Sequence, residues 1–384
     1  MGELNAWIKA TREEAYGTLQ LKRAVALAEA AVREGLDHVS IITDQKGADL
    51  IAGHLPKKVD VVIWNEVLTP PQEAAKLVEL LKPFVPKRVD AGTPRPLLYL
   101  VGNKYESGYQ KMLWKAGVEV VVVCDEGPET YSDWYVLGKP YGADYGVISG
   151  NGYTRFLRGA QYAPLRFEAV RAILKQHTHK TAASDFTVAT ENLDAKVWLP
   201  LIAKAINGIT PPEHVTAWNP TLTILPGPDC ASDDELKALA NGNGLKVSVA
   251  KDRFSHVDKL MKCDVLFAAD GMTLHEAIAL GVVRVALPRA GAVHDPMLEH
   301  LVAREASPKV PAPEATDALE QLITILDRVC FQPSYRRGQN RIGQYLCDGL
   351  GAVRVIRQTA RKVYEVPQNL VRFFESADPL IEKL

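Results

Sequence analysis

The sequence predicts an α/β protein with two Rossmann-like, doubly wound parallel-sheet domains facing a cleft. Three observations carry this. The candidate strands are continuous apolar runs, such as VDVVIW (59–64) and VEVVVVCD (118–125), the mark of a sheet covered on both faces. Segments of helical period separate them. The alternation occurs twice, before and after the polar, glycine-rich stretch GKPYGADYGVISGNGY (138–153).

In order, AWIKAT (6–11) reads as a strand, 19–35 as an alanine-rich helix and HVSIIT (38–43) as a strand. VDVVIW follows, then a helix near 71–82, PLLYLVG (96–102), a helix at 107–116 and VEVVVVCD. The second series comprises a helix near 192–207, TLTILPG (221–227), a helix at 233–241, LKVSVA (245–250), CDVLFAAD (263–270), a helix at 273–280 and VVRVALP (282–288). A proline-rich link, ASPKVPAPEAT (306–316), precedes helical pattern at 316–329 and 334–365. We expect an N-terminal domain over 1–165, a C-terminal nucleotide-binding domain over 166–335, and C-terminal helices (336–384) that cross back to the first.

Composition narrows the function. The 384 residues carry a formal net charge of −1, so no global field recruits nucleic acid or an anionic membrane. No run reaches the ~18 apolar residues of a membrane helix, and no signal-peptide pattern opens the chain. The five cysteines are scattered and never spaced C-x-x-C, which points to reduced thiols, a cytoplasmic setting and no structural zinc. Walker and G-x-G-x-x-G fingerprints are absent, and so is a D-x-D carboxylate pair at a strand end. No metal or cofactor is expected.

In doubly wound sheets ligands bind outside the carboxyl ends of the strands. The most informative segment there is CDVLFAADGMTLHEAIALGVVRVALP (263–288). Its strand ends at Asp270, Gly271 allows a tight turn, and a helix starts about Met272 and Thr273. Helix-start amides and the dipole behind them suit a diphosphate. Glu276, one turn in, is placed to accept from a ribose diol. The same residues also fit a plain strand–turn–helix with Thr273 as cap and Glu276 as a first-turn acid. Gly227, ending TLTILPG, is a further binding candidate.

GMTLHEAIALGVVRVALP resembles the donor-binding segment of GT-B glycosyltransferases, and of the UDP-sugar hydrolases of pseudaminic-acid biosynthesis with the related spore-coat polysaccharide proteins. The family pattern G-G-x-T-x-x-E-A-x-x-L-G-x-P is matched by Gly271, Thr273, Glu276 and Gly281, with Asp270 at the first glycine. An acid there repels a pyrophosphate unless it turns away or a nearby cation neutralises it. IKATREEAYGTLQLKRAVALAEA resembles the family's opening I-R-A-D … G-x-G-H-x-x-R-x-x-x-L-A-x-A. RGAQYAPLRFEA (158–169), DGLGAVRV (348–355) and VVCDEGP (122–128) resemble three further family segments. Together these span roughly residues 6 to 356.

The resemblance implies a UDP-sugar bound between the domains, donor on the C-terminal side. It also exposes departures. Gln20 stands where the hydrolases present a histidine base, and an amide cannot take a proton near neutral pH. Leu19, Thr11 and Asn65 replace a glycine and two acids. Water activation by the family's route is therefore not expected, and transfer to an acceptor is preferred. Glu13 and Glu14 before the turn and Asp125 at the end of VEVVVVCD are candidate acids, and Arg23 a candidate phosphate or carboxylate contact. His294 and Asp295 occupy the place of a sugar-reading pair and offer another base. Hydrolysis, pure nucleotide-sugar binding and sugar transfer to DNA, the last from the basic SYRRGQNRIGQY with RQTARK, remain alternatives. The acceptor and the oligomeric state are not specified by the sequence. Two registers remain for the first loop of the second domain: AASD (182–185), or DFTVAT as strand with the loop near Glu191.

Overall fold

A computed structural model describes residues 4–11, 18–86, 94–125, 127, 129–142, 146–173, 180–216, 218–227, 230–241, 244–292 and 294–360. The first series of elements runs β1 (Asn5–Ala10), α1 (Leu19–Arg33), β2 (His38–Thr43), α2 (Gln45–Ile51), β3 (Val59–Ile63), α3 (Pro70–Leu81), β4 (Leu97–Val101), α4 (Ser107–Lys115) and β5 (Glu119–Val123). Four short strands follow: β6 (Glu129–Thr130), β7 (Trp134–Leu137), β8 (Ile148–Ser149) and β9 (Arg155–Arg158). Then come α5 (Phe167–Ile173), β10 (Asp185–Ala189), α6 (Ala195–Gly208), β11 (Thr221–Leu225), α7 (Asp233–Leu239), β12 (Lys246–Val249), α8 (Val257–Leu260), β13 (Val265–Ala268), α9 (Met272–Leu280) and β14 (Val283–Ala286). Helices α10 (Pro296–Ala303), α11 (Ala318–Phe331), α12 (Pro333–Leu346) and α13 (Gly351–Ala360) complete it.

Two large sheets result, ordered β3-β2-β1-β4-β5-β7-β9 and β12-β11-β10-β13-β14, beside a small two-stranded sheet of β6 and β8. Every neighbouring pair is parallel. Both put their first strand inside and reverse direction of winding beside it, between β1 and β4 and between β10 and β13. Such a reversal opens a crevice at the carboxyl ends of those strands. The expected fold class, two Rossmann-like domains, is what the chain adopts.

The inner apolar strands are buried on both faces, whereas the edge strand β3, expected from VDVVIW to be covered, is only partly buried, with Ile63 44% exposed. Ile8, Ile41, Tyr99 and Val121 pack toward α1 and α13, while Ile42, Leu98, Leu100 and Val122 pack toward α3 and α4. Alanines 24, 26, 28, 30 and 31 of α1 let it lie close to its neighbours, and the helix is buried almost throughout. In the second half all nine residues of α9 are buried.

The structure goes beyond the sequence reading at several places and decides between the two registers that the sequence left open. The short runs WYVL and RFLR extend the first sheet to seven strands. The helical pattern from 334 breaks between Leu346 and Gly351, where Gly349 takes φ +81°. The first strand of the second half is Asp185–Ala189, so its loop lies at Glu191 and AASD precedes the strand.

Helix α13 returns to the first half. It packs on α1, Tyr99 and Thr359 share a 2.6 Å hydroxyl contact, and Arg357 Nε donates to Glu34 at 2.9 Å. Two glycines admit the turn at 160–163: a Cβ on Gly138 would lie 2.7 Å from Ala163 Cα, and one on Gly351 only 2.1 Å from Ala163 O. Both obstacles are backbone, so neither can rotate away. Gly351→Ala should therefore cost about 1–3 kcal/mol by overpacking, read as a lower urea midpoint. An unchanged midpoint would show that the turn yields freely.

Candidate functional site

The two crevices face each other, and the residues that end their strands meet. After β10 come Thr190, Glu191 and Asn192; after β13 come Ala269, Asp270 and Gly271. The first half contributes α1 from Thr18 onward, Asp125 after β5 and Lys139 after β7. The crossover supplies Arg166, just before α5. Lys22, Arg23, Lys139 and Arg166 are each at most 2% exposed. Burying a cation is costly unless a carboxylate meets it, and each of them has one.

Arg23 forms a fork on Asp125, NH2 to Oδ1 at 2.6 Å and NH1 to Oδ2 at 3.0 Å. Lys139 Nζ lies 2.7 Å from both oxygens of Asp270 and 3.7 Å from Asp125 Oδ1. His275 Nε2 approaches Asp270 Oδ1 at 3.3 Å. Burial works to raise both acids, yet Arg23 then Lys139 hold Asp125 below the usual carboxylate range, and Lys139 with His275 holds Asp270 well below it. Burial and then Lys139 push His275 downward. The repulsion that Asp270 would present to a phosphate is thus cancelled by a lysine 131 positions away.

The N-terminus of α1 points at Glu191. Its Oε1 accepts from the Thr18 amide at 2.6 Å and from the Thr18 hydroxyl, and Oε2 from Lys22 Nζ at 3.3 Å. Thr18 offers no side-chain cap of its own. A carboxylate from the second half therefore caps the helix, where the dipole favours negative charge. Against the raising effect of burial, Lys22 and Thr18 keep Glu191 low. Beside this pair, burial and then Lys22 push His256 down to about 3, so the ring is neutral, and its Nδ1 lies 3.3 Å from Thr273 Oγ1. Phe254 sits under both Lys22 and Arg166, 5.8 and 5.4 Å from its ring centre.

Of the residues singled out from sequence, Gln20, Arg23, Asp125, Met272, Thr273 and Glu276 lie buried along the seam of α1 and α9. Gln20 Oε1 is 3.4 Å from Arg23 NH1. Gly271 has φ 175°, extended backbone open to any residue, and a Cβ there would meet Asn192 Nδ2 at 3.2 Å. The turn was expected to present open amides; it is instead covered by Asn192, which donates to Asp270 O at 2.9 Å, and by His256. Glu276 is fully buried, its Oε1 taken by Arg166 at 3.2 Å. Gly227 lies beside Cys230 and Glu191. His294 is not brought to the seam: it is 67% exposed and 2.8 Å from Glu299. Asp295 caps α10 through the Leu298 amide at 3.0 Å. Glu13 and Glu14 lie outside the described residues. Among the basic C-terminal residues, Arg336, Arg354 and Arg357 are spent within the chain, on the Val329 and Thr181 carbonyls, Asp348 and Glu34.

Three buried polar atoms of this seam have no partner among the described residues: Gln20 Nε2, His256 Nε2 and Glu276 Oε2. Such atoms cost about 1–3 kcal/mol each when left unmet. Lys22, Lys139, His256 and His275 were not recognised from sequence. For Lys139 no local signal exists, because its partner is distant in the chain; His275, in the first turn after Gly271, carried one. No cluster of three or more His, Cys, Asp or Glu suited to a metal occurs among the described residues, and none of their helices is long and apolar enough to cross a membrane.

No protein-family model and no curated protein sequence matches the chain. Solved structures do resemble it in fold. A MurG from Acinetobacter baumannii aligns at 14% identity and TM-score 0.59, over 94% of this chain and 100% of its own. A UDP-GlcNAc 2-epimerase from Neisseria meningitidis, bound to UDP-GlcNAc, aligns at 12% and 0.56 over 94% and 100%. A spinosyn forosaminyltransferase aligns at 12% and 0.56 over 95% and 100%. The fold is the GT-B arrangement of glycosyltransferases and epimerases.

The charge network has a pH signature. His256 and His275 are kept neutral in the folded chain, whereas an unfolded histidine binds a proton below about 6.5. The unfolded state therefore holds more protons at acid pH, and the stability is full above about 6.5 and lost as pH falls toward about 3 for His256. The depressed acids Asp125, Glu191 and Asp270 add a further loss below about 4. Urea unfolding between neutral pH and pH about 5 should lose up to about 1.4 kcal/mol per pH unit per histidine. His256→Gln should flatten that slope; an identical slope would place the ring in water.

Proposed function

We propose that the chain is a sugar-nucleotide-dependent glycosyltransferase of GT-B type, binding its donor, UDP-linked by the sequence resemblance, between α9 and the loops after β10 and β13. The carrying observation is Glu276, whose Oε1 is held by Arg166 while the buried Oε2 has no partner among the described residues. A carboxyl oxygen fixed in orientation and otherwise unmet is what a ribose hydroxyl requires. The unpartnered Nε2 of His256 and Nε2 of Gln20 supply two further contacts along the same seam.

Transfer is preferred over hydrolysis because the group at Gln20 can orient a ligand but not deprotonate water. Asp125 is engaged by Arg23 on both oxygens, which makes it a poor base. His256, at about 3, is a hydrogen-bonding group rather than a strong base. In this reading the attacking hydroxyl comes from an acceptor, and the leaving diphosphate is offset by the α9 dipole and the buried cations. Sequence likeness to the UDP-sugar hydrolases and fold likeness to the 2-epimerase keep hydrolysis as the second reading.

Incubation with a panel of nucleotide sugars, with and without candidate acceptors, tests this. Free nucleotide that depends on acceptor is the expected outcome. Release without acceptor would favour hydrolysis, and thermal stabilisation without turnover would leave a binding protein. In Glu276→Gln the amide oxygen stays with Arg166, so an NH2 replaces the acceptor. Calorimetric affinity for UDP should fall by about 1–3 kcal/mol; undiminished affinity would reject the ribose role.

A further inference from the structure

The seam has a charge asymmetry that the nucleotide-sugar reading does not require. Two ion pairs join the halves across it, and in each the cation comes from the first half and the carboxylate from the second. They are Lys22–Glu191 at 3.3 Å and Lys139–Asp270 at 2.7 Å; a further pair, Arg166–Glu276 at 3.2 Å, lies on the second-half side of the crossover. Every donor to Glu191 named above belongs to α1 or its cap. Asp270 directly precedes the first turn of α9, and Asn192 and His256 bond to the Asp270 carbonyl and the Thr273 hydroxyl there.

Such pairs are finely balanced. Their mutual attraction barely repays the hydration lost on burial, so a closed pair and two separated, hydrated charges lie close in free energy. The three unpartnered polar atoms also gain water on opening, which weighs the balance further toward separation. Removing one partner leaves a bare buried charge that only separation can hydrate. Removing both leaves an uncharged contact that stays shut.

We propose that the Lys22–Glu191 and Lys139–Asp270 pairs are a latch that holds the resting chain closed over the start of α9, and that its release precedes entry of any ligand to that turn. The latch stands whether the ligand is a sugar nucleotide or not, and its test reads shape rather than turnover. Small-angle scattering of the full chain should give a radius of gyration near the about 21 Å of a compact protein of 384 residues. Glu191→Gln and, separately, Lys139→Gln should enlarge it, while Lys22→Met combined with Glu191→Met should not. Single variants that unfold cooperatively yet scatter like the parent would overturn the latch, as would a paired variant as open as the singles. Hydrogen exchange of the unaltered protein covers the case of variants that do not fold. The amides at the start of α9 should exchange through an opening weaker than global unfolding; exchange only on global unfolding would also overturn it.

Discussion

A buried charge has to find its opposite, and that requirement sets the register between the two halves of this protein. Apolar packing accounts for each sheet and its helices separately, but it is indifferent to small slides of one half over the other. The pairs are not. Glu191 fits only where α1 presents its first amides with Lys22 alongside, and Asp270 only where Lys139 reaches it. The cap of a helix in one half is thus a side chain of the other, which ties local helix geometry to the global arrangement.

The fold was legible because most of its strands are unbroken apolar runs bounded by turn residues, and their repeated alternation with helices leaves few competing architectures. What escaped were elements too short or too polar to show a period. WYVL and RFLR gain strand form from the neighbouring edge, since each pairs in parallel with a strand already in place. The loop at Glu191 was ambiguous because ASD resembles a phosphate turn while lying one strand too early. For the site, Arg23, Asp125, Thr273 and Glu276 were readable from position at strand ends and helix starts. Lys139 was not, for its role exists only through a contact 131 residues away, and His256 acquires its neutral state from burial that no local pattern encodes.

The departures from the hydrolase pattern acquire a physical sense together. An acid beside the α9 turn and a lysine at the end of β7 form a neutral pair, so neither is a lone defect in a phosphate site. Gln20, in turn, keeps a polar group near Arg23 without adding another titrating one to a seam already dense in charge. A histidine there would face the nearby guanidinium, which disfavours its protonated form.

The returning helix α13 has a mechanical corollary. The peptide runs between the two lobes twice, at Ala163 and again before Gly351, and these strands of chain touch each other, the Gly351 Cα lying against the Ala163 carbonyl with no room for a methyl group. Two tethers joined at one spot act as a pivot rather than a leash. Any parting of the lobes is then a rotation about that spot, modest close by and widening with distance, so the far lip of the gap travels most.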